Sequence, residues 1–215
     1  MRKNGMDEKN RIARAAEAVA ARDWDLPAIE KRFRRFEASG FEKPELDLKA
    51  AAQNKRKALD QVQTRAEEYC YLTRSCAKGA AIALFEAFGL GSMEMIRALS
   101  PFPGLAMSGG ICGPVAGGLA ALGLYFSDAD PANYENIHHY IAGRRFVQEF
   151  ETTFGSLSCP AVQQQLLGRA YDPFAGMDEL EAFNQSGARE KCPAVPGLGA
   201  RLAAEIIIEN KGKNH

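Results

Sequence analysis

The sequence has no excess of charge of either sign. Its 215 residues include 27 Lys plus Arg and 27 Asp plus Glu. Because nucleic-acid binding depends on a surplus of cationic side chains, this balance gives no electrostatic case for a nucleic-acid partner. Hydrophobic residues make up 46% of the chain and charged residues 25%, which is ordinary for a globular protein.

The sequence also lacks a long, uninterrupted hydrophobic run. Its longest apolar stretch, residues 109–126, is rich in glycine and carries Pro114 near its start. A spanning helix needs about 20 predominantly apolar residues, so we predict no membrane insertion. Residues 1–25 are charged throughout and show no apolar core of a signal peptide. We therefore expect a cytoplasmic protein.

Alternating apolar and polar residues, the pattern typical of a half-buried strand, are absent as well. Helix signals recur instead, such as Asp25 followed by Pro27 at one helix start and Gly40 at its end. The sequence predicts an all-α fold, a compact multi-helix bundle. We expect an N-terminal helical arm over residues 1–64, where apolar positions are sparse, and a helical domain over residues 65–210. An amphipathic arm must dock somewhere, which favours a homodimer.

Several short motifs are missing too. There is no Cys-x-x-Cys-His string, which excludes covalently attached c-type haem. The glycine-rich stretch at residues 109–118 has no Gly-Lys-Ser/Thr ending and no preceding strand, so we expect no nucleotide. His138 and His139 are neighbours on a predicted helix and point about 100° apart, so they do not easily ligate one metal. No catalytic triad or carboxylate pair stands out, and the sequence does not name a substrate or decide whether the protein is an enzyme.

What the chain does have is five cysteines, and four of them coincide with predicted helix starts. Cys76 follows Ser75, a good N-cap residue. Cys112 precedes a Gly-Pro pair, and Cys159 and Cys192 each precede a proline in the same Cys-Pro-Ala-Val string. Free amide groups and the helix macrodipole at a helix start favour a thiolate, which is both the nucleophile and the metal ligand. Four thiols in this setting indicate chemistry rather than core filling.

The fifth cysteine differs from the other four. Cys70 lies between two tyrosines in a helical segment and follows two glutamates. We interpret it as a packed or surface thiol. An odd number of cysteines without a secretory signal argues against a disulfide framework and favours metal or redox chemistry.

The strings SCAKGAAIALFEAFG, CGPVAGGLAALGLYF, FETTFGSLSCPAV and the terminal CPAV segment together resemble a known family. It comprises redox-active proteins named for a C_GCAxxG_C_C signature of four separated cysteines, and a related domain occurs in split-Soret cytochromes. The resemblance covers roughly residues 65–210. Pro114 stands where the family's central motif usually has alanine. The matching positions are Cys76, Cys112, Cys159 and Cys192, with Gly113 and Gly117 as the glycines of the central motif.

The resemblance implies a redox role and an iron–sulfur centre or other metal held by these four cysteines, with electron transfer or a redox accessory role as the function. Thiolates are the usual ligands of iron–sulfur clusters, and four is the usual number. Glycines around the second cysteine would let backbone amides approach the sulfurs of a bound cofactor. The candidate cofactor-binding residues are Gly109, Gly110, Gly113 and Gly117.

Three other interpretations use the same atoms. Four thiolates also suit structural zinc, although zinc ligands usually come in closely spaced pairs. Pairs such as Cys76 and Cys112 fit reversible disulfide chemistry without a metal. A non-catalytic interaction protein with no cofactor is the third alternative. The sequence leaves the cluster type, the redox partner protein and the role of Cys70 open.

Overall fold

The structure is a computed structural model that describes residues 4–41 and 43–210, with side chains from residue 12 onward. Within these residues all regular secondary structure is helical, and the only β feature is an isolated bridge between Ile111 and Ser158. The predicted all-α class is confirmed. The helical segments are α1 (Asn4–Ala20), α2 (Leu26–Ser39), α3 (Leu48–Gln53), α4 (Lys55–Thr73), α5 (Cys76–Phe88), α6 (Met93–Ala98), α7 (Gly104–Met107), α8 (Gly113–Phe126), α9 (His138–Phe154), α10 (Cys159–Leu167), α11 (Met177–Gln185), α12 (Ala188–Lys191) and α13 (Ala194–Glu209).

Local capping signals explain where several helices begin. The side chain of Asp25 accepts a hydrogen bond from the amide of Ala28 at 3.0 Å, and α2 then ends before Gly40. The Ser75 hydroxyl likewise accepts from the amide of Lys78 at the start of α5. These bonds satisfy amides that have no partner inside the helix, which is why short polar residues stand there.

Non-helical residues interrupt two segments. Residues 43–74 contain two helices, α3 and α4, with Asn54 between them. Helix α9 begins only at His138, because Asp128, Asp130 and Asn133 in the preceding segment accept hydrogen bonds from nearby backbone amides and hold it in turns.

Four helices, α4, α5, α8 and α13, pack against one another and form the centre of the bundle. Small residues allow the close crossings. A Cβ atom built on Gly79 of α5 would lie 2.7 Å from Cys70 Cβ of α4, and one built on Gly117 of α8 would lie 2.4 Å from the Ala77 carbonyl oxygen of α5. Among the described helices, none combines the length and the hydropathy needed to cross a bilayer.

The N-terminal helices dock on this bundle within the same chain. Helix α1 contacts α9, α10, α12 and α13, and α2 contacts α4. Their apolar side chains, including Val19, Ile29 and Phe36, are buried. The homodimer stays a prediction, but the amphipathic faces that suggested it are already covered inside the chain. Helix α4 runs without interruption across residues 64 and 65, where we placed the domain boundary.

Two buried glutamates secure this docking, and we call the group around them the carboxylate network: Glu67, Glu86, Tyr69, Arg22, Arg32 and Arg65. Arg22 Nη1 lies 2.8 Å from Glu67 Oε2, although Glu67 is only 1% exposed. The Tyr69 hydroxyl donates to Glu86 Oε2 at 2.8 Å and accepts from Arg32 Nε at 3.0 Å. Buried charges are tolerated when they are paired in this way.

Candidate thiol site

The first two signature cysteines meet where α5 and α8 begin. Cys76 is the first residue of α5, and Cys112 is the N-cap residue of α8. A Cβ atom built on Gly113 would lie 2.4 Å from Cys76 Sγ, so a larger residue there would collide with the sulfur. The missing side chain at residue 113 is therefore what allows these two helix starts to meet.

A backbone bridge brings the third cysteine to the second. Cys159 is the first residue of α10. The amide of Cys112 donates to the Leu157 carbonyl at 2.7 Å, and the amide of Cys159 donates to the Gly110 carbonyl at 2.9 Å. These hydrogen bonds flank the isolated bridge between Ile111 and Ser158. Two segments that are distant in the sequence thus place their cysteines side by side.

The fourth cysteine departs from the helix-start prediction. Cys192 has helical backbone angles but follows the last residue of α12, and its amide donates to the Ala188 carbonyl. Helix α13 begins only at Ala194, after Pro193. Pro193 does precede a helix, as predicted. The turn of α12 comes directly before Cys192, however, so the Cys192 amide is already hydrogen-bonded and is not free as we expected.

The signature cysteines lie near one another, and Cys70 lies near them. Cys76 Sγ is 2.4 Å from a Cβ atom built on Gly113, the residue after Cys112, and Cys159 lies across the backbone bridge from Cys112. Besides burial, the neighbouring thiols Cys76 and Cys159 help to raise the pKa of Cys192, and Cys76 and Cys192 help to raise that of Cys70. All five cysteines are free of disulfides. We call the five the thiol cluster. Cys70 was interpreted as a packed or surface thiol, and it is packed, with its Cβ against the Gly79 position of α5.

The surroundings shift the thiol pKa values in different directions. Hydrogen bonding to Cys159 and Cys76, together with burial, raises the pKa of Cys112 well above its usual value. Burial raises the pKa of Cys70 likewise and that of Cys192 to about 12. The pKa of Cys159 is lowered instead, because Cys112 hydrogen-bonds to it and Gln163 Nε2 donates to its sulfur at 3.6 Å. Cys159 is thus the member of this group whose surroundings favour the thiolate.

The four candidate glycines pack against the chain itself. Gly113 and Gly117 lie at the crossing of α8 with the first turn of α5. The Gly110 carbonyl accepts from the Cys159 amide, and a Cβ on Gly110 would lie 2.6 Å from Leu105 side-chain atoms. A Cβ on Gly109 would lie 3.7 Å from Pro160. Their binding of a cofactor stays a prediction, while their packing roles are direct.

A strained segment that sequence reasoning did not find lies beside Cys159. Four consecutive residues, Gly104 to Met107, have φ values between 49° and 60°. This left-handed conformation costs an L-residue about 1–2 kcal/mol, and residues other than glycine normally adopt it singly. Leu105, Ala106 and Met107 adopt it in succession. The prolines at residues 101 and 103 indicated a loop, but no local signal specified this geometry.

The donor chemistry of the thiol cluster suits a soft metal, since thiolates are the preferred ligands of iron–sulfur clusters and zinc. The described residues nevertheless contain no group of three or more Cys, His, Asp or Glu side chains already arranged around a metal position. His138 is exposed and His139 is partly buried beside Tyr140. Four thiols are therefore the right type and number of ligands for a soft metal. To bind one, the thiols would have to give up their present contacts and rearrange around the metal.

The site and fold define a helical protein with clustered cysteines, and comparison with known families agrees. A family model described as "Putative redox-active protein (C_GCAxxG_C_C)" matches residues 74–206, more than half of the chain. The chain belongs to this family, as the sequence resemblance indicated. The matched region includes Cys76, Cys112, Cys159 and Cys192 and leaves out Cys70. Searches of curated proteins and of solved structures found no match.

Proposed function

We propose that this redox-active family member holds an iron–sulfur or other soft metal centre through Cys76, Cys112, Cys159 and Cys192. Its role would be electron transfer or that of a redox accessory protein. The observation that carries the proposal is that segments distant in the sequence bring signature cysteines together. Gly113, next to Cys112, lies against Cys76 Sγ, and the bridge between Ile111 and Ser158 sets Cys112 beside Cys159. Cysteines that only filled the core would have no reason to collect in one place.

Each part of the site has a stated role in this proposal. Cys112 lies between Cys76 and Cys159 and would connect them. Cys76 and Cys159 open α5 and α10, where the positive end of the helix dipole offsets the negative charge of thiolates. A bound iron–sulfur cluster would supply one-electron redox chemistry. We propose a cytoplasmic location, where free thiols stay reduced, and a protein partner for electrons.

Anaerobic purification followed by visible absorbance, iron analysis and acid-labile sulfide analysis tests the proposal. We expect charge-transfer bands with both iron and sulfide in the unmodified protein. The Cys112→Ala variant should lose most of the iron, because the central thiol is removed. Zinc analysis of the same sample distinguishes a structural zinc site from a redox cluster.

The chain offers a matched control in Cys70→Ala. Cys70 is as buried as Cys112, each being 5% exposed, but it lies outside the family match. We expect Cys70→Ala to keep its iron. A colourless, metal-free protein from anaerobic cells would overturn the metal proposal, and equal iron loss in both variants would overturn the assignment of the four ligands.

Thiol–disulfide chemistry is the second candidate, favoured by the proximity of Cys112 to Cys159 across the backbone bridge and to Cys76 beside Gly113. With a low-molecular-weight disulfide as oxidant, one protein thiolate would attack a sulfur of the oxidant and release one thiol. The second protein thiolate would attack the mixed disulfide and release the other. Two protein thiols would thus lose two electrons and two protons to the oxidant, which would become two thiols.

Counting thiols in the metal-free protein before and after treatment with oxidised glutathione tests this second candidate. We expect a loss of two thiols that dithiothreitol restores. Cys112→Ala should abolish the loss, and Cys70→Ala should retain it. An unchanged thiol count in the unmodified protein would exclude the disulfide candidate.

A further inference from the structure

The loop of residues 101–110 has two properties that are independent of the cofactor. Its backbone is strained in the left-handed region over Leu105, Ala106 and Met107. Its outer side chains face solvent, with Leu105 43% exposed and Phe102 36% exposed. A segment that is strained and only partly packed opens more readily than the helices around it.

The inner side of this loop lies directly on the third cysteine. A Cβ atom built on Gly104 would lie 3.5 Å from Cys159 Sγ and 3.6 Å from Cys159 Cβ. Gly104 itself is buried. The thioether sulfur of Met107 lies 3.8 Å from the same Gly104 position, so the loop contributes a further soft sulfur beside Cys159. The backbone of Gly104 therefore covers part of the thiol.

Backbone hydrogen bonds hold the loop shut, and several of them, such as that from the Ser108 amide to the Leu105 carbonyl at 3.1 Å, lie within the loop itself. The Gly110 amide donates to the Gly104 carbonyl at 2.9 Å, and the Cys159 amide donates to the Gly110 carbonyl at 2.9 Å. The Met107 amide donates to the Pro103 carbonyl at 2.9 Å. The bonds from the Gly110 and Met107 amides depend on the left-handed turn, while that from the Cys159 amide ties the base of the loop to α10. The loop can thus open at Gly104 while its base stays attached.

We propose that residues 101–110 form a strained lid over Cys159, and that opening of this lid controls the access of metals, oxidants or partner thiols to this cysteine of the thiol cluster. In the closed lid, Leu105, Ala106 and Met107 adopt the unfavourable left-handed conformation. Backbone strain therefore opposes the closed state. The lid regulates the same site as the proposed function, and its biological role rests on that function. The opening of the loop can be measured whether or not a metal binds.

The test measures alkylation of each cysteine in the reduced, chelator-treated full chain with iodoacetamide, followed by peptide mass spectrometry. Cys76, which is also partly exposed, serves as the internal reference. We expect Gly104→Ala to speed alkylation of Cys159 about fivefold relative to Cys76. Alanine is unfavourable at φ 57°, whereas its methyl group would be at ordinary contact distance from the sulfur.

A second variant shifts the lid in the opposite direction. Asn tolerates left-handed angles better than Ala, and Ala106 is exposed, so Ala106→Asn should slow alkylation of Cys159 about threefold. Gly40→Ala is the matched control. Gly40 also has a positive φ, 65°, with nothing within 4 Å of its Cβ position, but it lies at the end of α2. We expect it to leave the Cys159 rate unchanged.

Equal Cys159 rates in Gly104→Ala and Gly40→Ala would overturn the lid, as would a proportional rise at Cys76, which indicates general loosening. Circular dichroism establishes that each variant is folded before the rates are compared. A protein without iron or sulfide would contradict the metal proposal and leave these rates interpretable. Conversely, unchanged rates in a protein that binds iron would contradict the lid alone.

Discussion

The carboxylate network and the thiol cluster adjoin in the sequence at Tyr69 and Cys70, yet they are built in opposite ways. In the network, each buried acid faces cations: Arg22 reaches Glu67, and Arg32 and Arg65 lie within 4 Å of Glu86. In the thiol cluster, the ionisable groups that act on Cys70 and Cys192 are other cysteines and a glutamate. Each buried glutamate of the carboxylate network is paired with arginine side chains of the same chain. The thiols of the cluster make only weak contacts, which a metal or a disulfide bond can replace.

This difference in surroundings indicates which group stabilises the fold and which group is able to react. Paired buried charges order the docking of α1 and α2, and removing one partner leaves the other uncompensated. Thiols form only weak hydrogen bonds with each other, so exchanging these contacts for a metal or a disulfide costs little. We therefore assign the network to stability and the cluster to the redox role of the family.

The largest effect is expected from enlarging the glycine that sets the crossing beside the thiol cluster. Gly117→Ala should lower the free energy of unfolding by about 3 kcal/mol, because its Cβ would lie 2.4 Å from the Ala77 carbonyl oxygen. Gly123→Ala, in the same helix, is the control. Nothing lies within 4 Å of its Cβ position, so it should be neutral or stabilise by up to about 1 kcal/mol. Urea unfolding of both variants measures the difference, and equal effects would contradict the packing role of Gly117.

A smaller effect is expected from the pH dependence of the carboxylate network. Burial raises the pKa of Glu86 from 4.5 to about 7. The folded state therefore binds this proton more tightly than the unfolded state between these two values. Stability from Glu86 is fully present below pH 4.5 and is lost as the pH rises through 7, amounting to about 3 kcal/mol for a shift of this size.

The Glu86→Gln variant isolates that contribution. Its amide oxygen still accepts from the Tyr69 hydroxyl, but the side chain no longer ionises. We expect the variant to gain stability relative to the unmodified protein as the pH rises from 5 to 8, measured by urea unfolding at each pH. A constant difference between the two proteins over this range would show that Glu86 does not titrate there.

The smallest effect concerns Cys70, the residue at which the two regions meet. Cys70→Ala removes one buried sulfur from the crossing with Gly79 and should cost about 1 kcal/mol in the free energy of unfolding. The same variant should keep its iron. Loss of iron with little loss of stability would move Cys70 from the packing of α4 into the ligand set.

Local signals were predictable because they act over three or four residues. The cap hydrogen bonds of Asp25 and Ser75 lie within their own first turns, and they appear where the sequence placed them. The family and the all-α class were likewise predictable from helix patterns and from the order of the four cysteines. The predicted helix start at Cys192 was wrong because α12 directly precedes this residue and α13 begins only at Ala194.

The sequence by itself determined the capped helix starts at Asp25 and Ser75, the fold class and the identity of the thiols, since these depend on neighbouring residues and on composition. Only the tertiary structure decided which thiols meet. The bridge at Ile111 joins Cys112 to Cys159, and the crossing at Gly79 brings Cys70 to the cluster. The left-handed lid over Cys159 is likewise a product of long-range packing, because its residues do not favour that conformation alone. Contacts between distant segments have no local signature, and here they determine the site.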